Sequence, residues 1–223
     1  MKVLYIDCFG GFTSSMLLGA LTDMGASAIY TSGELAEMGF DADIVYDKVC
    51  RGGIEAVYAY AKCHSREQKQ NIKYESVLSA MCDATGENFA SSENICTWAA
   101  VLSCIDSFGA EKIICSPLTD GSGIDTATGS PIPTKEIMEL AVRYKIPLRT
   151  TDVPAELISC EGAVFLGENA DEFGMLPQGT ILCVGYGAGE ETPDGCINMV
   201  RCVLTEAEEG ILTEKELEKL FEI

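Results

Sequence analysis

Asp7 ends a short apolar run, Val3-Leu4-Tyr5-Ile6, and stands just ahead of a glycine-containing loop, Cys8-Phe9-Gly10-Gly11-Phe12-Thr13-Ser14-Ser15. Ligands of open α/β sheets bind outside the carboxyl ends of strands. A carboxylate in that place can hold a divalent cation, and the helix that begins beyond the loop offers amides to an anion. The same carboxylate can equally cap the loop by accepting bonds from backbone amides.

A second candidate is Gly185-Tyr186-Gly187-Ala188-Gly189. It is neither a P-loop nor a dinucleotide fingerprint, because no Gly-Lys-Ser/Thr appears and Glu190-Glu191-Thr192-Pro193 follows it. Its glycines suit a close approach of backbone to ligand, or a plain connection between two strands. Asn198 and Arg201 follow it. Three residues apart on a straight strand, they fall on opposite faces and converge only across a bulge. Arg201 reads as a fork for phosphate or carboxylate, or as half of a surface ion pair. A third stretch, Asp120 to Pro133, is rich in Gly, Ser, Thr and Pro and carries Asp120 and Asp125. Its oxygens suit a hard cation, although the Asp spacing matches no EF-hand. The lone histidine, His64, reads as an exposed loop residue, and no Ser/His/Asp set can be assembled around it.

The elements that must position these groups follow from periodicity and punctuation. Val3 to Asp7 reads as a buried strand. The helix after the loop carries Leu17, Leu21 and Met24 at i, i+4 and i+7, with Thr13, Ser14 or Ser15 as N-cap and Gly25 as its stop. A second helix is expected around Thr31 to Met38. Ile44 to Cys50 and Ile54 to Cys63 read as strands joined by Gly52-Gly53, a hairpin signal. The polar stretch His64 to Lys73 reads as a loop and Tyr74 to Asp83 as a helix. Glu93 to Phe108 has no charge from Asn94 to Ile105 and is expected to be a helix buried all round. Lys112 to Cys115 reads as a strand, Asp120 to Pro133 as a long loop, and Thr134 caps a helix to Tyr144. A strand at Leu148 to Thr151 and a helix at Glu161 to Glu172 follow. Thr180 to Val184 and Ile197 to Leu204 read as two strands joined by the glycine-rich segment. A capping box at Thr213 and Glu216 opens a last short helix to Phe221.

The expected fold is therefore α/β, a mixed sheet with helices packed on it and one Gly-Gly hairpin, in a single domain over 1–204. An acidic tail with its short helix occupies 205–223.

Composition narrows the partners. Among 223 residues, 35 acids face 15 bases, a formal charge of −20. Self-repulsion with phosphate excludes nucleic acid as a natural partner and disfavours an anionic membrane surface. The longest apolar run is far short of a bilayer span, and the opening residues fit no signal peptide, so the expectation is a cytoplasmic chain. The eleven cysteines include no C-x-x-C pair, and their odd number argues against a disulfide framework. Most sit in apolar runs and read as small core residues.

The order and spacing of several short segments resemble the nickel-insertion proteins of nickel-pincer cofactor biosynthesis, the LarC family. The similarity lies in Asp7-Cys8-Phe9-Gly10-Gly11 through Met16-Leu17-Leu18-Gly19-Ala20-Leu21, in Arg51-Gly52-Gly53, and in Ser116-Pro117-Leu118 with Gly121-Ser122-Gly123. It continues in Pro131-Ile132-Pro133, in Glu172-Phe173-Gly174, and in Gly185-Tyr186-Gly187-Ala188-Gly189 with Asn198 and Arg201. It covers most of the chain and corresponds to the family's N-terminal portion. The resemblance implies insertion of nickel, as substrate metal, into a thiolated pyridinium mononucleotide, with a cytidine nucleotide and a divalent cation. It would make the chain a lyase-class cyclometallase. It implies that Asp7 holds a cation, with Cys8 replacing a missing soft donor or simply packing. Gly185, Tyr186, Gly187, Gly189, Asn198 and Arg201 would hold the ligand. No catalytic residue is assigned.

The departures define an alternative. Ser14-Ser15 stand where the family has Gly-Asp, and Gly86-Glu87-Asn88-Phe89-Ala90 where it has a His-bearing stretch. Thr128-Gly129 replaces His-Gly, and Ser159-Cys160-Glu161-Gly162-Ala163 replaces Thr-Pro-Thr-Gly-Ala. A histidine-rich segment and the family's C-terminal domain have no counterpart in these residues, which leaves room for a separate C-terminal-domain subunit and for a homo-oligomer. The glycine and proline skeleton is kept while ligating groups are lost. The alternative is thus a degenerate, non-catalytic paralogue that binds a nucleotide-like ligand or a partner subunit.

Overall fold

The computed structural model describes residues 1–64, 79, 92–125, 128–190 and 192–207. The helices expected at 74–83 and 213–221, the loop beyond His64 and the acidic tail beyond Ala207 fall outside them, apart from residue 79.

Strand β1 (Lys2–Asp7) is the centre of the fold. Val3, Leu4, Tyr5 and Ile6 are all buried, the unalternating pattern of a strand covered on both faces. On one side β1 pairs antiparallel with β11 (Met199–Ala207), and on the other parallel with β4 (Lys112–Cys115). Beyond β11 come β10 (Gly179–Ala188), then β3 (Ile54–Cys63) and β2 (Ala42–Arg51); beyond β4 comes β9 (Glu172–Phe173). The seven strands run in the order β2-β3-β10-β11-β1-β4-β9, a mixed sheet as expected. The Gly52-Gly53 turn joins β2 to β3 with both residues at positive φ, 56° and 81°, which glycine adopts without steric cost.

Five helices are seen among the described residues: α1 (Ser14–Asp23), α2 (Ala28–Glu37), α3 (Ser92–Phe108), α4 (Lys135–Tyr144) and α5 (Cys160–Asn169). They contribute to one core on one face of the sheet. In it Leu4, Ile6, Cys8, Val57, Ala59 and Cys202 from the strands meet Leu17, Leu21, Trp98, Ile137 and Phe165 from the helices. Trp98 of α3 stacks on Phe165 of α5 with ring centroids 4.7 Å apart, and Phe12 lies 6.3 Å from Trp98. Each fully buried side chain of this size stabilises the fold by about 1.5–3 kcal/mol. The opposite face carries a small cluster, Val3, Tyr5, Ile114 and Val203, and leaves Ile181 and Val184 partly exposed.

The segment 185–189 differs from its expectation as a connecting loop. Gly185 to Ala188 continue β10 and pair residue for residue with β11, from Gly185 opposite Cys202 to Ala188 opposite Met199. The glycines are there for closeness. A Cβ on Gly187 would sit 1.7 Å from the Met16 carbonyl oxygen, and one on Gly185 would sit 2.2 Å from that of Ala20. Helix α1 therefore rests backbone to backbone on the strand.

The stretch 120–133 is likewise less loop-like than expected. It continues from β5 (Leu118–Asp120), which pairs parallel with β8 (Leu148–Thr150), into a short ladder of β6 (Gly123–Ile124) and β7 (Pro131–Ile132). The α5 helix stops at Asn169, three residues short of the expected end, because Glu172 and Phe173 pair with β4 instead.

Candidate functional site

The loop after β1 is held from several sides. The Cys8 amide donates to Ser116 Oγ at 2.9 Å, the Phe12 amide to the Leu157 carbonyl at 2.8 Å, and the Ser159 amide to the Phe12 carbonyl at 3.1 Å. Leu157 is itself anchored, since its amide donates to Asp120 Oδ1 at 2.8 Å. Asp120 is fully buried. Oδ1 also accepts from Gly121, while Oδ2 has no hydrogen-bond partner. Burial pushes the Asp120 carboxyl above its ordinary pKa, against the lowering effect of these amides. The carboxylate that reads as a cation ligand in the sequence is a brace for the loop before α1.

That brace brings two helix starts together. Thr13 caps α1 by accepting from the Met16 amide, and Ser159 caps α5 by accepting from Gly162 at 3.1 Å. Between these N-termini opens a cleft of about 330 Å³. It is lined by Thr13, Ser14, Ser15, Ser159 and Glu161 at the two helix starts, by Asn94 and Trp98 of α3, and by Gly189, Glu190 and Asn198. Asn198 takes a left-handed backbone, φ 47°, which asparagine tolerates better than most residues, and its carbonyl accepts from the Gly189 amide at 2.9 Å. The Arg51 guanidinium, at the hairpin end of β2, donates to the carbonyls of Gly189 and Glu190 at 3.3 and 3.2 Å and fixes that rim.

The residues singled out from the sequence separate into three places. Gly189 and Asn198 line the cleft. Gly185 and Gly187 lie under α1. Asp7, Tyr186 and Arg201 share the far face of the sheet, where cross-strand register puts Asp7 opposite Arg201 and Arg201 opposite Tyr186. Arg201 donates to Asp7 Oδ2 at 2.5 Å. Burial disfavours the charged guanidinium, yet hydrogen bonds to Tyr186 and Asp7 together hold its pKa above the ordinary value. Of the glycine segment, Tyr186 shares a face with Asp7, while Gly185 and Gly187 face α1. Cys8 points the other way, into the core. It is wholly buried, with its sulfur 3.6 Å from that of Cys115, and burial first, then Cys115, keeps its thiol protonated. Because the thiolate is the metal-binding form, Cys8 has the surroundings of a packing residue. Asp7 and Cys8 do not meet at one point.

Sequence reasoning missed most of the cleft. Thr13 and the serines after it are read as caps of a helix whose amides suit an anion, with Ser14-Ser15 also a departure from the family pattern, and Ser159 and Glu161 are read only as departures. Asn94 and Trp98 enter only within a buried helix. A pair of N-caps preceding two glycine-containing helices was the available signal, since such ends collect anion-binding amides. Among the described residues no group of three or more His, Cys, Asp or Glu side chains forms a metal site. No described helix is long and apolar enough to cross a membrane.

A profile of the family described as "Nickel insertion protein" matches residues 4–88 and 85–220. The chain is 30% identical to the pyridinium-3,5-bisthiocarboxylic acid mononucleotide nickel insertion protein of Acetivibrio thermocellus, over 97% of this chain and 63% of that protein. It is 28% identical to the protein of the same name from Desulfitobacterium hafniense, over 85% of this chain and 55% of that one. The chain therefore spans less than two thirds of these relatives. No solved structure matches it.

Proposed function

The chain belongs to the nickel insertion protein family, and from that premise we propose that it binds a thiolated pyridinium mononucleotide in the cleft between α1 and α5. The observation that carries this reading is the convergence of two capped helix N-termini on one cleft, lined by Ser14, Ser15 and Ser159. First-turn amides and hydroxyls of this kind suit the phosphate of a mononucleotide. Glu161 and Glu190 offer negative charge suited to a cationic ring, and the buried Trp98 lies beneath them against the cleft. The volume lies at the lower end of the range for small-ligand sites.

In this reading the chain's own residues bind and orient. The N-termini of α1 and α5 fix the phosphate, Arg51 holds the Gly189–Glu190 rim, and the ring is left facing Glu161 and Glu190. Nickel is the substrate metal. Among the described residues no group of three or more His, Cys, Asp or Glu side chains stands ready for the divalent cation that the resemblance implies.

Trp98 is the sole tryptophan of the chain, so its fluorescence reports the cleft directly. Titration with the thiolated pyridinium mononucleotide is expected to change Trp98 emission saturably and raise the melting temperature. An unchanged emission together with an unchanged melting temperature overturns the proposal. Mass spectrometry of the mononucleotide after incubation with Ni²⁺ then separates insertion from binding. A second reading, binding without insertion, is favoured by the engagement of Asp7 with Arg201 and the burial of Cys8. Its signature is a saturable Trp98 response with no nickel-bearing product.

A further inference from the structure

The sulfurs of Cys63 and Cys96 lie 2.9 Å apart, well inside the 3.6 Å contact of the buried thiols Cys8 and Cys115. Cys63 ends β3 and is partly exposed; Cys96 lies in the second turn of α3 and is buried. An ordinary disulfide is about 2.05 Å long, so closing the gap asks for less than 1 Å of movement. Other contacts already hold these elements in register: the Ala61 amide of β3 donates to Thr97 Oγ1 of α3 at 3.0 Å. Cys8 and Cys115 share proximity but not access, because both are fully buried.

We propose that Cys63 and Cys96 form a reversible disulfide that fastens the first turns of α3 to the end of β3. The oxidant is a low-molecular-weight disulfide. Cys63 thiolate attacks one of its sulfurs and releases one small thiol. Cys96 then loses its proton, attacks the Cys63 sulfur of the mixed disulfide and releases the second small thiol. Two protein thiols are oxidised and one small disulfide is reduced. Burial, with Glu93 and Asp41 close by, raises the Cys63 pKa even though its bond to Cys96 lowers it. Cys63 is therefore a slow nucleophile, and the bond acts as a fastening rather than a relay. Asn94 and Trp98, two residues either side of Cys96, both line the cleft, so the fastening immobilises one of its walls.

The test uses the full chain, fully reduced and then incubated with glutathione disulfide. The expected result is a loss of two hydrogens in intact mass with no glutathione retained. Digestion should yield a peptide pair joined through Cys63 and Cys96, and dithiothreitol should restore the starting mass. The joined form should melt roughly 5 °C or more higher, because the bond closes a loop of about thirty residues. Cys63→Ser should lose both effects, whereas Cys50→Ser, at an exposed cysteine, should keep them. A glutathione adduct that persists on Cys63, a bridge between other cysteines, an unchanged mass, or a bridge without a melting shift overturns the proposal. The peptide mapping is made on the unsubstituted chain, so it stands even if Cys63→Ser folds poorly.

Discussion

Helix α1 meets the rest of the molecule in two ways. Along its length it is seated on β3 and β10 with no spare room. Gly187 and Gly185 admit its backbone from one strand, and a Cβ on Gly19 would sit 2.1 Å from the Val57 carbonyl oxygen of the other. At its N-terminus it faces a cleft lined by hydroxyls, amides and carboxylates. The seat tolerates almost no added atom, while the cleft tolerates exchange of one polar group for another. The contrast follows the family resemblance. Gly19, Gly185 and Gly187 keep the pattern, whereas Ser14-Ser15 and Ser159-Cys160-Glu161 depart from it. Close packing fixes the seat of α1, and the cleft is where the proposed ligand would test the lining.

The largest effect should come from filling the seat. Gly187→Ala would drive a methyl into the Met16 carbonyl and should cost about 3 kcal/mol, read as a lower urea midpoint. A loss below about 1 kcal/mol would break the contrast by showing that the seat yields. Arg201→Met, on the far face, leaves the largely buried Asp7 carboxylate without its partner. The pair is partly exposed to solvent, so a loss of about 1–2 kcal/mol is expected, with mononucleotide affinity unchanged. Weaker binding in that variant would connect the far face to the cleft.

Asp120 sharpens the comparison through pH. Its carboxyl is raised by burial, so its contribution to stability is full below the ordinary value of about 3.9 and is lost as pH climbs through the raised native value. Asp120→Asn keeps the oxygen that accepts from Gly121 and Leu157 and removes the charge. Its stability relative to the unsubstituted chain should increase from acid to neutral pH, measured as urea midpoints across that range. A parallel pH profile would show that the Asp120 carboxyl titrates alike in the folded and unfolded chain, so that burial does not raise it. Ser159→Ala removes the α5 cap and should cost about 1 kcal/mol while weakening mononucleotide binding roughly tenfold. Ser14→Ala should change stability by less than about 0.5 kcal/mol and still weaken the Trp98 response. If it leaves that response intact, the α1 end is not part of the site.

Much of the fold was legible because the signals were local. The Gly52-Gly53 hairpin, β3 from Ile54 to Cys63, β4 from Lys112 to Cys115 and the α3 run to Phe108 follow from periodicity and turn residues. Helix α2 begins at Ala28 rather than near Thr31, because Ser27 caps it by accepting from the Tyr30 amide. The glycine segment was misleading for a physical reason. Glycine marks both a turn and a place where another backbone lies close, and only the tertiary neighbour, α1, decides between them. The cleft was hidden for a similar reason. Thr13, Trp98, Ser159 and Asn198 are far apart in the chain, and each has an ordinary local role. What unites them is Asp120 bracing Leu157 and Leu157 bracing Phe12, a long-range chain of bonds that no local pattern announces.

Arg51 has a consequence for the polarity of the cleft's edge. In a trans peptide the carbonyl and the amide point in opposite directions. With the Gly189 oxygen turned toward the guanidinium, the N–H of Glu190 faces the other way. Without that cation neither carbonyl keeps its side-chain partner, and the edge of the cleft loses its tie to the hairpin. A charge at the hairpin tip thus sets how firmly that edge is moored.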